Sequence, residues 1–465
     1  MVNSILSKSD LFKLHKKFYS EYNINFAWGE EVDTFFWTNN NFIASKYSKI
    51  IRKIVEENDE NINIIELGAG QGRFSFFLLN NLKHLLNKKD FSKLNYIMTD
   101  LSPDRLEFWK NHEKFIPYIQ EGNLDFTLFD ITNPEDCILQ SNRRLSNVLN
   151  NGINIVISNY TLSDLGDDLF TIKSKELFEC LLDIDKDLST LDKDYLETIK
   201  DSKIGFKLKK IDSNYYESEA VNGILKSYLS QFDNATFDIP IDAINTFDFF
   251  KKFSTQFYWL ISDEANYHLN RFKNKKPHIN KLPSGLLSNK TNLNALKKYV
   301  KNNSCNMIDK QVAYMWFDTY MIVPENCSYT DSLKELIEEF NTNDFLQIFN
   351  QVKKDKIVSM ALFSLIKLSG YDPYIIRVFS DKLTVISKRD DEYYKDVLKV
   401  YIKKCWDNYF NIDEDFDMAY CIGIIFKNLG LFEDAVQCFE YSLKKNKDTK
   451  KSKRELEELS NIIKQ

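Results

Sequence analysis

Three glycines alternate with other residues directly after an acid: Glu66, then Gly68, Gly70 and Gly72, with Ala69 between the first two. Glycine lets backbone approach a ligand closely, because a Cβ there would collide with it. A dinucleotide fingerprint spaces its glycines G-x-G-x-x-G and delivers a pyrophosphate to a helix N-terminus. Here the spacing is G-x-G-x-G. The fixed charge of Glu66 opposes a pyrophosphate and suits a ligand with an ammonium group. Asp100 and Asp130 follow, each succeeded by an apolar residue, Leu101 and Ile131. An acid at the end of a second strand accepts hydrogen bonds from ribose hydroxyls. The competing role for Asp100 is a helix N-cap, for which Ser102 stands just before Pro103. Further on, Asn159, Tyr160, Asp164, Asp167 and Asp168 form one polar stretch, and Asp263 and Glu264 close a later apolar run. Each of these acids is equally readable as a solvated loop residue. His268 and His278 read more readily as loop or core histidines than as bases.

Such residues need elements to hold them at one end of a sheet. Ile62, Ile64, Ile65 and Leu67 form a short apolar run, the pattern of a buried parallel strand. Phe74, Phe77 and Leu78 then recur at helical spacing, giving strand, glycine turn, helix. Residues 95–100, 124–130 and 153–159 read as the next strands, so Asp100, Asp130 and Asn159 fall at or beside their carboxyl ends. Such ends are where these folds bind ligands. Residues 256–262 read as strand five and 313–323 as a long final strand. Helices are expected over 240–253 and 292–300. After strand four and before the first of these helices, residues 183–235 break the βα alternation, with a strand over 203–211 and a helix over 217–229. Before the sheet, residues 9–56 read as helices. Trp28, Phe35, Phe36 and Trp37 lie among them and pack or cover a ligand.

Composition narrows the function classes. At 465 residues the chain holds two or three domains. It is 43% hydrophobic and 14% aromatic, enough for a sizeable core and unlike a disordered chain. A net charge of −6 gives no whole-chain case for nucleic-acid binding. Seven cysteines without a C-x-x-C pair argue against zinc and a disulfide framework, so reduced thiols and a cytoplasmic location are expected. No metal site is expected. The first residues lack a signal-peptide pattern, and no apolar run is long enough to span a membrane.

After Pro324 the chain reads as all helix. Gly423, Phe426, Gly430, Phe432, Ala435, Phe439 and Ser442 match a tetratricopeptide helix pair, with small residues where the helices cross. A weaker match covers 358–383. One repeat cannot bury its own face, so neighbouring helices must complete a solenoid. A generic helical bundle is the alternative. The expected domains are N-terminal helices over 1–60, an α/β domain over 61–323 with an insertion at about 183–235, and a helical domain over 324–465.

The glycine motif resembles motif I of class I S-adenosylmethionine (SAM) methyltransferases. With Tyr96 to Asp100, Leu106 to Trp109, Gly122 to Phe126, Phe129-Asp130 and Ser158 to Tyr160, the chain resembles a MidA-like methyltransferase joined to tetratricopeptide repeats. Gly285 to Ser288, Asn292, Ala295-Leu296 and Tyr299 belong to the same pattern. The resemblance implies an α/β fold with a Rossmann-like seven-stranded sheet, its last strand antiparallel, followed by an all-α tetratricopeptide-like solenoid. It implies SAM as cofactor, contacted by Glu66, Gly68, Ala69, Gly70, Gly72, Asp100, Leu101, Asp130, Ile131 and Asn159. It implies an acceptor site at Asn159, Tyr160, Asp164 and Asp263. Related mitochondrial complex I assembly enzymes methylate a protein arginine. Three positions depart from the family pattern: Ser163 and Ser284, where it has an aspartate and a histidine, and Glu264, where it has a lysine.

Methyl transfer from a sulfonium is an in-line displacement needing proximity, alignment and a path for the acceptor's proton. An arginine acceptor needs carboxylates beside it to offset its charge. Three readings stay open: methylation of a protein or peptide side chain recruited by the repeats, arginine foremost; O-methylation of a carboxylate or other small molecule by a possible homodimer; and a SAM-binding scaffold without catalysis. None calls for nucleic acid or a membrane.

Overall fold

A computed structural model of the chain describes residues 4–21, 38–186, 188, 195–282, 285–309, 317–340, 342–355, 360–389, 391–412, 417–445 and 450–463. Trp28, Phe35, Phe36, Trp37 and Ser284 lie outside them, as do the first four residues of the expected final strand. The chain forms two compact units. One comprises Met1–Thr38, Lys49–Ser75 and Leu82–Asn343, the other Asn39–Ser48, Phe76–Asn81 and Asp344–Gln465.

The first unit contains eleven strands among the described residues, β1 to β11 in chain order. The large sheet takes β1 (Ile62–Leu67), β2 (Leu94–Asp100), β3 (Leu124–Leu128), β4 (Ile153–Asn159), β9 (Phe257–Glu264), β10 (Cys305–Ile308) and β11 (Phe317–Pro324). Their order is β10-β11-β9-β4-β1-β2-β3. β11 runs antiparallel to both neighbours, and the pairs from β9 to β3 are parallel. The strand order reverses between β1 and β4, so a crevice opens outside their carboxyl ends. Every residue of β1 is buried, as a strand covered on both faces requires.

The register of the centre is pinned by asparagines. Asn63 pairs with Asn95 on one side and Asn154 on the other. Asn95 Nδ2 donates to Asn63 Oδ1 (3.1 Å), and Asn63 Nδ2 to Asn154 Oδ1 (3.0 Å). A one-residue slip would turn each amide to the opposite face and strand it without a partner.

β3 ends at Leu128, two residues before Asp130, because Phe129 and Asp130 turn out of the sheet. β9 runs through Glu264, so Asp263 and Glu264 are strand residues instead of the start of a loop. The insertion is larger than the 183–235 segment anticipated. β5 (Asp168–Lys173), β6 (Glu176–Ile184), β7 (Ile204–Lys210) and β8 (Ala235–Ile239) form an antiparallel sheet in the order β7-β6-β5-β8. The β5–β6 turn puts Ser174 and Lys175 at positive φ, 50° and 64°. Asn-Gly or Gly-containing pairs usually mark such hairpins, so Ser-Lys hides this one.

Gly152, just before β4, has φ 126°, and a Cβ there would lie 2.2 Å from the Asn61 carbonyl oxygen. Neither strand can retreat without breaking the β1–β4 ladder. Gly152→Ala is therefore expected to lower stability by about 2–4 kcal/mol in urea unfolding. An unchanged midpoint would show that the loop relaxes freely.

The second unit is helical among its described residues. Helices Met418–Asn428 and Phe432–Lys445 form a tight hairpin, in which a Cβ on Gly423 would come within 2.7 Å of the Phe439 ring. Asn41 is built into the same unit: its N–H donates to Asp372 Oδ2 (2.9 Å) and its side chain to the Gly370 carbonyl (2.6 Å). Phe42 stacks on Phe345 at 4.7 Å between centroids, and Phe76 on Phe410 at 5.3 Å.

Candidate functional site

The loop after β1 is built from left-handed backbone. Gly68, Gly70 and Gly72 have φ of 64°, 57° and 79°. Such values are open to glycine and costly for other residues. The loop is stitched to β2 at each step. Ala69 N–H donates to the Thr99 carbonyl (2.8 Å) and Gly70 N–H to Asp100 Oδ2 (3.0 Å). Trp109 Nε1 donates to the Gly70 carbonyl (3.1 Å). A Cβ on Gly72 would meet Met98 at 2.9 Å. Helix Arg73–Leu85 starts immediately beyond.

Asp100 is the hinge of this arrangement. Its Oδ1 accepts from Leu101 N (2.8 Å) and Ser102 N (3.1 Å), with Arg105 Nε at 3.5 Å. Burial raises its pKa; Arg105 and the three amides pull the other way. It thus serves the loop and the following helix, and it also lines the crevice. Glu66 does not line it. Its Oε2 accepts from Ser75 Oγ (2.5 Å) and Tyr96 OH (2.7 Å), and burial pushes its pKa up to about 7. Asp130 is held by Thr132, whose N–H and hydroxyl donate at 3.0 and 2.8 Å, and it is ion-paired with Lys16.

Across the crevice, Asn159 ends β4 and Tyr160 turns the chain at φ 53°. Tyr160 OH donates to Glu264 Oε1 (3.1 Å). Asp263 is buried, and backbone amides occupy both its oxygens. Thr161 N and Leu162 N donate to Oδ2 (2.9 and 2.7 Å), Glu264 N to Oδ1 (2.8 Å). Burial pushes Asp263 up to about 6. It clamps the loop that carries Ser163 and Asp164. The Ser163 carbonyl in turn accepts from Asn289 N (2.8 Å). Asp164 is half-buried. Tyr19 OH donates to its Oδ2 (3.0 Å), while its Oδ1 has no partner among the described residues. Burial, then the charge of Asp263, raises the Asp164 pKa well above that of a free carboxylate.

These groups enclose a cavity of about 120 Å³. Gly68, Asp100, Leu101, Asp130, Ile131, Tyr160 and Asp164 line it. Ala69, Gly70, Gly72, Asn159 and Asp263 stand behind that wall. His268 and His278 are exposed and do not line it.

The residues that cover this cavity were not among the sequence candidates. Helix Asp10–Glu21 brings Lys16 to Asp130 and Tyr19 to Asp164. His15 sits beneath, hydrogen-bonded to the Asp164 backbone, with its pKa pushed down to about 4 by burial. Only the amphipathic pattern of that helix was visible, and it points to packing against something, not to what.

Among the described residues no cluster of His, Cys, Asp and Glu is arranged to hold a metal. None of the described helices is long and apolar enough to cross a membrane.

No protein-family model matches the sequence, and no curated protein matches it. Two solved structures from Burkholderia thailandensis resemble it at 12% identity. One is a COG1565 superfamily member bound to S-adenosyl-homocysteine, whose description suggests a methyl transferase. It has a TM-score of 0.37 and covers 58% of this chain. The other is an uncharacterised protein of the same superfamily, with a TM-score of 0.39 over 64% of this chain and 72% of its own. The chain spans 62% of the length of the first. At that distance the reading below rests on this chain's own residues.

Proposed function

We propose that the chain binds SAM in the β1–β4 crevice and transfers its methyl group to a protein or peptide side chain. The observation that carries the reading is the junction of glycine loop and Asp100 at the switch point of a sheet ordered β3-β2-β1-β4-β9-β11-β10. Asp100 faces the crevice from the end of β2, where ribose hydroxyls are received. Asp130 and Ile131 flank the position of the adenine, and the loop 68–72 presents backbone to the rest. SAM supplies the electrophilic methyl on a sulfonium; the acceptor's lone pair takes it, and the C–S bond breaks.

On the acceptor side this chain offers Tyr160, Glu264 and Asp164, whose Oδ1 has no partner among the described residues. A cationic acceptor such as arginine is steadied by Glu264, while Asp164 orients it through a hydrogen bond. Asp164→Ala is expected to lower kcat about tenfold or more and leave SAM affinity unchanged, because that contact is made with the acceptor. Full activity in the variant would make Asp164 an ordinary loop acid. The helical unit recruits the polypeptide along its surface, as stacked helix pairs do.

Lys16, paired with Asp130, competes with the ligand for that carboxylate. Lys16→Ala removes the ion pair on Asp130 and is expected to tighten SAM binding up to about fivefold, the scale of one exposed pair. Weaker binding in that variant would place Lys16 among the cofactor contacts instead.

The test of the whole reading is calorimetric titration of the full chain with SAM and S-adenosyl-homocysteine, followed by mass spectrometry of lysate proteins incubated with labelled SAM. No binding of either compound overturns it.

A further inference from the structure

A second cavity, of about 390 Å³, is lined by Asp167 and Leu169, whereas Thr161, Asp164 and Leu165 line the first. Its walls come from β5, β8 and the chain between Asn266 and Lys290. Its size falls within the range of small-molecule sites.

The floor is acidic. Asp167 is buried and Asp238 half-buried, and both line the cavity. Burial raises both, Asp167 well above the carboxylate range and Asp238 to about 6. The charge of Asp238 adds to the rise at Asp167. Asn292 N donates to Asp238 Oδ2 (3.0 Å). Asp167 is only 3% exposed, yet its Oδ1 has no hydrogen-bond partner among the described residues. An orphaned carboxyl oxygen at that depth costs about 1–3 kcal/mol unless something donates to it. The rim is basic. Arg271 and Lys275 line the mouth, are exposed, and make no ion pair with any described residue.

We propose that this cavity binds a small zwitterion of amino-acid size, with its ammonium on Asp167 and Asp238 and its carboxylate toward Arg271 and Lys275. An ammonium carries three donors on a tetrahedron and can serve the orphaned Oδ1 and Asp238 together. Its carboxylate then meets the guanidinium at the mouth, where a bidentate pair is available. A dication would meet Arg271 and Lys275 as like charges, and a dianion would meet the acidic floor. The cavity selects opposite charges at its two ends. The site goes beyond the methyl-transfer reading and does not depend on it.

The experiment is calorimetry on the full chain with L-lysine and γ-aminobutyrate as probes, butylamine and glutarate as single-sign controls. Saturable binding is expected for at least one amino-carboxylate, weaker binding for butylamine, and none for glutarate. Asp167→Asn is expected to weaken the amino-carboxylate about tenfold or more, and Arg271→Ala about threefold or more. Should Asp167→Asn fail to fold, Arg271→Ala carries the test, since it sits on the exposed rim. No binding of either amino-carboxylate at millimolar concentration overturns the proposal. So does glutarate binding as tightly as they do, or an affinity that neither substitution changes. SAM is titrated separately on the same samples, so loss of one reading leaves the other standing.

Discussion

Gly70→Val is expected to abolish SAM binding, with an affinity loss of about 100-fold or more, which is about 3 kcal/mol. Gly70 has φ 57°, where a β-branched residue is a true outlier. The loop has little room to adjust. The Gly70 N–H is held by Asp100 and its carbonyl by Trp109, both buried. Relieving φ breaks one of these bonds and rotates the amides that face the crevice. Gly70→Ala should lose less, because it lacks the branched carbon. Calorimetry on the two variants checks this, with circular dichroism to confirm that the sheet survives. Parental affinity in Gly70→Val would remove the glycine loop from the cofactor site.

Stability should fall steadily from about pH 4.5 to pH 8, a steep effect for a protein of ordinary composition. The cause is acids buried without cationic partners. Burial pushes Asp263 up to about 6, Glu66 to about 7 and Asp242 to about 8. In the unfolded chain these groups titrate near 4. Between about pH 4 and pH 8 the unfolded state therefore releases protons that the folded state keeps. Raising pH through that window favours unfolding, by about 1.4 kcal/mol for each unit of separation. His15 offsets part of this loss between about pH 4 and 6.5. Burial lowers it to about 4 from 6.5, so its contribution is complete above 6.5 and is lost as pH falls toward 4. Urea midpoints measured from pH 4.5 to 8.5 check the shape. A midpoint that rises steadily to pH 8 would mean that these carboxyls are solvated.

The ligand end of the sheet was legible because α/β winding obeys few rules. An apolar run, a glycine turn and a helical period fix β1; once β1 is fixed, Asp100, Asp130 and Asn159 fall at neighbouring strand ends. What those side chains touch was not legible. Glu66 suggested an ammonium partner, yet Ser75 and Tyr96 take its Oε2. Asp263 looked like an acceptor group, yet three backbone amides occupy it. Both outcomes depend on contacts made across 9 to 102 residues of chain. The antiparallel sheet from Asp168 to Ile239 was hidden for a local reason: its first turn uses Ser174-Lys175, and β8 has only five residues before Pro240. The covering helix was hidden for a distant one, since Tyr19 meets Asp164 across 145 positions.

The makeup of the second unit has a consequence for how the protein is made. Residues 39–48 and 76–81 belong to that unit, but the rest of it begins at Asp344. On a translating ribosome the two segments emerge about 260 residues before the helices that bury them, a wait of roughly 13–50 s at about 5–20 residues per second. Phe42 and Phe76, which stack on Phe345 and Phe410 in the finished protein, lack those partners throughout that wait. Nascent chains of intermediate length thus carry an adhesive aromatic surface, which sequestration by a chaperone would shield until the last helices arrive.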